Sequence, residues 1–175
     1  MEHSEHGRSA LVIRAADCDV GSLGGIGVRF ILDGAEADGR FSVVEHPLPP
    51  HALGAPLHRH SREDEYSFVV EGQMGALLGD RVVNAAAGDL VFKPRGQWHT
   101  FWNPGDKPAR VLEIISPAGF ERYFAELVEM QGVAEMRAFE IEPEAFAALC
   151  NRYGLQMRPE TVPELIERFG LAVGG

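Results

Sequence analysis

The sequence predicts a mainly β domain followed by a helical tail. From about residue 10 to residue 117, short apolar runs alternate with glycine, proline and Asp-Gly breakers, which is typical of strands joined by turns in a β-sandwich or barrel. After Pro117 the apolar residues recur at helical spacing. We therefore expect a β-barrel domain over 1–117 and a helical tail over 118–175 that packs on the barrel or on a dimer partner.

Short apolar runs mark the expected strands, and the alanine-rich stretch after residue 84 has a low strand propensity. The runs are Leu11–Arg14, Ile26–Leu32, Phe41–Glu45, Tyr66–Val70, Met74–Leu78, Arg81–Asn84, Leu90–Lys93, His99–Trp102 and Val111–Ile115. Their close spacing favours two packed sheets or a closed barrel.

Helices are expected at three places in the tail. The first follows Ser116, which with the next proline fits an N-cap and first helical position. The second begins at Pro143. The third starts at Thr161, where Thr161 and Glu164 form a capping-box pattern, and ends at Gly170.

Charge and composition exclude several classes of partner. The net charge of −10 over 175 residues disfavours binding to nucleic acid or to an anionic membrane surface. No apolar run approaches the length of a membrane span, and the first ten residues lack a hydrophobic signal core. Cys18 and Cys150 are far apart and show no metal or redox spacing. We therefore expect a cytoplasmic protein with reduced thiols.

Two histidines and a carboxylate stand close together at positions 58 to 65. On a strand, His58 and His60 point to the same side, and Glu65 begins the next apolar run. Two imidazoles and an oxygen donor suit a metal ion. By themselves, two neighbouring histidines in a loop are more often simply exposed.

A second pattern changes that balance. Residues 58–72 read His-x-His-x4-Glu-x6-Gly, and after fifteen residues 88–103 read Gly-x5-Pro-x-Gly-x2-His-x3-Asn. These stretches resemble the two signature motifs of the cupin superfamily, and the resemblance covers roughly residues 40–117. It implies a cupin-type double-stranded β-helix, or jelly-roll barrel, with a metal inside. The resemblance assigns the ligand roles to four positions: His58, His60, Glu65 and His99.

That ligand set has chemical consequences. Three neutral imidazoles and one carboxylate suit one divalent transition metal per chain, which could be Fe, Mn, Ni, Cu, Co or Zn. Four protein ligands on a six-coordinate ion leave two positions for a small-molecule substrate and O2. A structural site is normally closed, so an open one favours catalysis.

The function remains open between three classes. Residues 58–72 and the tail segment "SPAGFERYFAEL" at 116–127 resemble bacterial quercetin dioxygenase-like cupins. This resemblance implies a dioxygenase for a small hydroxylated or aromatic molecule, with Glu65 as general base. The alternatives are a non-redox isomerase, epimerase or lyase, and a non-catalytic metal-dependent protein that binds a small molecule. The fold hosts all three.

Strand alternation assigns the neighbouring side chains to two faces. Ser67 and Val69 point inward with Glu65, and Phe101 points inward with His99, so these three are candidate pocket residues. Plain barrel core is an equally good interpretation of Phe101.

The outward set is apolar, and we expect a homodimer to cover it. It comprises Tyr66, Phe68, Val70, Trp98 and Trp102.

Other charged or titratable residues near the motifs are expected at the surface. His46 is interpreted as a surface histidine and Glu63 as part of a solvated acidic rim. Lys93 and Arg95 are interpreted as surface charges near the mouth.

Overall fold

The structure is a computed structural model and describes residues 12–134 and 141–172. Its strands are β1 Val20–Ser22, β2 Gly27–Leu32, β3 Ser42–Leu48, β4 Leu57–His60, β5 Asp64–Glu71, β6 Gln73–Leu78, β7 Arg81–Ala86, β8 Leu90–Lys93, β9 His99–Trp102, β10 Ala109–Ser116 and β11 Leu155–Arg158. Its helices are α1 Glu121–Ala134, α2 Pro143–Arg152 and α3 Val162–Phe169. Within the described residues, no helix is long and apolar enough to cross a membrane.

The strands form two antiparallel sheets. One has the order β1-β2-β3-β10-β5-β8, and the other has the order β11-β4-β9-β6-β7. Their inner faces meet in an apolar core to which both contribute, including Val69 and Val111 from the first sheet and Met74 and Phe101 from the second. The predicted mainly β jelly-roll fold with a C-terminal helical segment is confirmed.

Most expected strands are present, and two differences are informative. Leu11 lies outside the described residues, and 12–14 form no strand. The tail contains β11, which the helical pattern did not predict. This strand pairs antiparallel with β4, with Met157 opposite His58 and Leu155 opposite His60. The tail therefore adds a strand to the barrel beside the first histidine pair.

The predicted starts of the second and third helices are confirmed, since α2 begins at Pro143 and Thr161 directly precedes α3, but the expected side-chain capping is absent. Ser116 does not cap a helix, because it is the last residue of β10 and α1 begins only at Glu121. The Thr161 hydroxyl donates to the Arg158 carbonyl at 2.6 Å, and no side-chain cap forms at this helix start. The predicted end of α3 at Gly170 is confirmed, and its φ of 64° is one that glycine adopts without strain.

The tail covers one outer face and leaves another open. Leu165 and Leu171 pack on Trp102, and Phe169 stacks on the Trp102 ring at 4.0 Å. By contrast, Phe92 is 47% exposed on the outer face of the six-stranded sheet. Phe68 and Val70 on the same sheet are also exposed. Phe68 and Val70 therefore face outward as predicted, whereas Trp102 of the same predicted set is covered by the tail.

Candidate metal centre

Three strands from both sheets bring the four motif residues together. His58 and His60 lie on β4, and His99 on β9 stands directly opposite His58. Glu65 comes from β5 of the other sheet. All four are buried, with their nearest ligand atoms within 4.8 Å of one another. The cluster thus joins the two sheets from inside the barrel.

The donor atoms fit a divalent transition metal. His60 Nε2 lies 3.4 Å from Glu65 Oε1, and His99 Nε2 lies 3.2 Å from Glu65 Oε2. Both imidazole nitrogens are buried and lack a hydrogen-bond partner among the described residues. Buried polar atoms without partners are costly, and a metal ion among them would satisfy these nitrogens. The cluster is therefore able to hold one ion, whose identity the residues leave open.

Backbone carbonyls fix two of the imidazole rings. Nδ1 of His58 donates to the Pro56 carbonyl at 2.8 Å, and Nδ1 of His99 donates to the Gln97 carbonyl at 3.0 Å. A carbonyl can only accept, so the proton sits on Nδ1 and the Nε2 lone pair is free for a metal. The ring of His60 is held differently, edge-on against Phe120 at the start of the tail, with 4.3 Å between ring centres.

Burial and neighbouring side chains keep His58, His60 and Glu65 in the protonation states that metal binding requires. Desolvation lowers the pKa of His60 to about 4 and the pKa of His58 well below its usual range. Burial opposes ionisation of Glu65, but the nearby side chains of His60, Lys93 and His99 outweigh it and hold the Glu65 pKa well below its usual range. His58 and His60 are therefore neutral, and Glu65 is ionised.

Lys93 is buried, which corrects the prediction that it is a surface charge. It stands opposite Glu65 in the pairing of β5 with β8, and it is 1% exposed. Its Nζ lies 2.8 Å from Glu65 Oε2 and 2.9 Å from Glu113 Oε2. The Ser67 hydroxyl donates to the same Glu113 oxygen at 2.8 Å. Alternation from buried Val91 was the signal that could have placed Lys93 inside.

Two nearby charges also bear on the predicted acidic rim and mouth. Glu63 is 6% exposed rather than solvated, and burial raises its pKa to about 7. Its Oε2 lies 3.9 Å from His60 Nδ1. Arg95 is a surface charge as expected and makes a two-point contact with Asp64, at 3.1 and 2.8 Å.

A cavity of about 590 Å³ lies against the cluster at His58. Barrel residues and all three tail helices line it, and most of the lining side chains are apolar. Its aromatic lining consists of His46, His58, Phe101, Phe120, Tyr123, Phe124 and Phe146. Of the three pocket residues predicted from alternation, Phe101 lines this cavity. Ser67 instead bonds Glu113, and Val69 packs in the core between the sheets.

His46 is a cavity residue that the sequence interpretation placed at the surface. It lies on β3, is 2% exposed and lines the cavity together with His58. Val44 and Leu48, two residues to either side, are buried on the same face. That alternation was the available signal, and the general tendency of histidine to be exposed outweighed it.

Comparison with known proteins shows which domains the barrel resembles. The family model described as "Cupin domain" matches residues 44–115. The polyketide cyclase RemF from Streptomyces resistomycificus has a similar structure, with a TM-score of 0.53 and 26% identity over 62% of this chain and 80% of that chain.

Two curated relatives match parts of the sequence. The tetracenomycin polyketide synthase protein TcmJ of Streptomyces glaucescens is 35% identical over 60 residues, which is 34% of this chain and 40% of that protein. The probable oxidoreductase virH of Hypocrea virens is 31% identical over 100 residues, 52% of this chain and 46% of that protein. Each match therefore spans less than half of the relative's length.

Proposed function

We propose that this cupin-domain protein is a metal-dependent enzyme that oxidises a hydroxylated aromatic molecule with O2. One observation carries the proposal: an apolar cavity of about 590 Å³ opens onto a buried cluster of three histidines and a glutamate at His58. A cavity of this size is in the range that small-molecule sites occupy, and its mostly carbon lining favours a flat organic substrate.

The charge distribution argues against a sugar phosphate. Phosphate recognition uses arginine or lysine aimed at the ligand. Lys93 is buried near the cluster, but two carboxylates already pair with it, and it does not line the cavity. Phe101, Phe120 and Phe124 do line it and would pack on an aromatic ring.

Each residue of the cluster has a proposed role. His58, His60, Glu65 and His99 would hold one divalent transition metal. When bound, such an ion supplies Lewis acidity and, if redox-active, electron transfer with O2. Glu65 is the proposed general base for a substrate hydroxyl that a bound ion would make more acidic, and Lys93 orients its carboxylate.

A second candidate is a non-redox reaction such as ring closure of a poly-carbonyl chain. The similarity to RemF, a polyketide cyclase, and to TcmJ, a polyketide synthase protein, favours it. The same cavity and Lewis acid would serve an enolisable carbonyl compound. The name of virH, a probable oxidoreductase, favours the oxidative reaction.

Oxygen uptake distinguishes the candidates. Protein purified without a histidine tag would be loaded in turn with Fe(II), Mn(II), Ni(II), Cu(II) and Zn(II) and mixed with flavonols, catechols and enolisable diketones. We expect O2 consumption with at least one redox-active ion and its loss in Glu65→Gln. His51→Gln is the matched control, because His51 is a partly exposed histidine paired with Asp106.

The other outcomes reject the oxygenase. Anaerobic turnover with Zn(II) and no O2 uptake would replace it with the non-redox candidate. Tight ligand binding without turnover under any loading would indicate a binding protein.

We also propose that two copies of the chain associate through the open outer face of the six-stranded sheet. Leu90 and Phe92 on β8 and Phe68 and Val70 on β5 are all more than a third exposed there. The tail covers Trp102 on the opposite sheet instead. A self-complementary apolar patch on a sheet suits a two-fold dimer.

A further inference from the structure

His46 lies in the cavity at a place distinct from the metal cluster. Through β10, His46 is level with Val111, which is opposite Val69 on β5. Glu65 lies four residues before Val69 on β5. It pairs with Ile115 of β10, which pairs in turn with Ser42 at the start of β3. His46 therefore stands away from Glu65 along the sheet, while it faces the same cavity as His58.

The protonated nitrogen of His46 is identified by its partner. Nδ1 lies 3.0 Å from the Gly27 carbonyl oxygen, which can only accept a hydrogen bond. The proton must then be on Nδ1, and Nε2 carries a lone pair. Burial lowers the pKa of His46 to about 4, so the ring is neutral near pH 7.

Nothing in the described part of the chain hydrogen-bonds that lone pair. The ring packs edge-on against Phe124, with 5.1 Å between ring centres, and lies 6.2 Å from the ring of Phe101. The ring lines the cavity, so a hydrogen-bond donor on a bound molecule can reach this acceptor.

The cavity offers few other polar side chains. Besides His46, the described residues that line it include two such groups, His58 and Tyr123. His58 belongs to the metal cluster, and Tyr123 is buried in one apolar cluster with Cys150. Nε2 of His46 is therefore the remaining side-chain atom that could hydrogen-bond a polar group of a bound molecule.

We propose that Nε2 of His46 accepts a hydrogen bond from a hydroxyl group of the substrate and thereby selects hydroxylated aromatic molecules and sets their orientation against the metal cluster. This role deepens the proposed function and rests on it for the substrate class. It requires no proton transfer to His46, whose ring is a weak base. The substrate class is an aromatic compound that carries a hydroxyl on its edge.

The test compares two probes that differ by one hydroxyl. Zn(II)-loaded protein, which cannot oxidise the ligand, would be titrated by calorimetry with 2-naphthol and with naphthalene. We expect wild type to bind 2-naphthol at least about tenfold more tightly than naphthalene. His46→Phe should abolish this preference and leave naphthalene binding within about threefold of wild type. His46→Gln, whose side-chain oxygen also accepts, should retain most of the preference.

Controls separate this role from a structural one. Zinc content and melting temperature would be measured for each variant, and His51→Gln should behave as wild type. An unchanged preference in a folded, zinc-loaded His46→Phe protein overturns the role of His46 alone. An equal loss of both ligands also overturns it, because that result indicates a packing role. If wild type binds neither probe, the aromatic substrate class fails, and the role of His46 fails with it.

Discussion

The two sides of the metal cluster treat polar groups in opposite ways. Behind Glu65 lie three buried residues, Lys93, Glu113 and Ser67. Lys93 pairs with both glutamates, and Ser67 donates a hydrogen bond to Glu113. On the side of His58, the cavity is lined mostly by carbon and leaves Nε2 of His46 without a partner. A fully hydrogen-bonded polar network makes a core rigid, whereas an acceptor without a protein partner can bind a donor on a ligand. The paired side therefore holds the carboxylate in place, and the side of His58 is where the proposed substrate would bind.

Breaking the paired side should have the largest effect on stability. Lys93→Met leaves the buried carboxylates of Glu65 and Glu113 without their shared cation. We expect metal-free protein to lose about 3–5 kcal/mol of unfolding free energy, measured by urea denaturation at pH 7.5.

A double variant provides the control for this prediction. Glu113→Gln in the Lys93→Met background removes one of the two stranded charges, so part of the loss should be recovered. If Lys93→Met alone is as stable as wild type, the buried ion pairs do not stabilise this fold.

The apolar side predicts a pH dependence that the paired side does not share. The pKa of His46 is about 4 in the folded protein and 6.5 in the unfolded chain. Between these two pH values the unfolded chain binds a proton at His46 that the folded chain does not bind. The contribution of His46 to the unfolding free energy is therefore fully present above pH 6.5 and decreases as the pH falls toward 4. At one pH unit per 1.36 kcal/mol, His46 accounts for roughly 3 kcal/mol of this loss.

His46→Gln isolates that contribution. Unfolding free energies of metal-free wild type and variant would be compared from pH 7.5 to pH 4. The advantage of wild type should shrink by that amount as the pH falls, because the other titrating groups cancel in the difference. A constant difference across this range would contradict the burial of a neutral ring.

The cluster between the two sides is tested by metal affinity. His99→Gln removes the imidazole that β9 contributes to the four-residue cluster. We expect binding of Zn(II) to weaken by about 100-fold, close to 2.7 kcal/mol. Competition with a fluorescent chelator measures it. His51→Gln should bind zinc as wild type does. Equal affinity of His99→Gln and wild type would remove β9 from the site.

The smallest effect on the unfolding free energy is expected for a substitution on the outer face of the six-stranded sheet. Phe92→Lys should make the protein monomeric by light scattering at micromolar concentration, while the unfolding free energy of the monomer changes by no more than about 0.5 kcal/mol. Val82→Lys is the matched control, since Val82 is 39% exposed on the other sheet. A monomeric wild type, or equal effects of the two substitutions, would reject this face as the interface.

The cluster was predicted because the chain resembles a known pair of motifs. Alternation on β4 puts His58 and His60 on one face, and the resemblance to the cupin motifs adds Glu65 and His99, and the structure brings the four side chains together. Strands β8 and β9 begin and end at the predicted residues, because turn residues bound them on both sides.

The pairing behind the cluster depends on contacts between distant strands. Alternation from Val91 could place Lys93 on the inner face, but residues 90–93 do not reveal that Glu65 and Glu113 pair with it. The same holds for β11, whose four residues pair with a strand far earlier in the chain. His46 and the cavity around it likewise take shape only when the tail residue Phe124 packs on the barrel.

The pairing of β11 with β4 sets the order of events during synthesis. The β4 strand leaves the ribosome about 95 residues before β11 does. At about 5–20 residues per second, the histidine-bearing strand waits roughly 5–20 seconds with one edge unpaired. Until then it is an open edge of the kind that other chains can join. A nascent chain stalled before residue 155 should therefore be a target for chaperones, and its histidine pair should be open to stray metal ions.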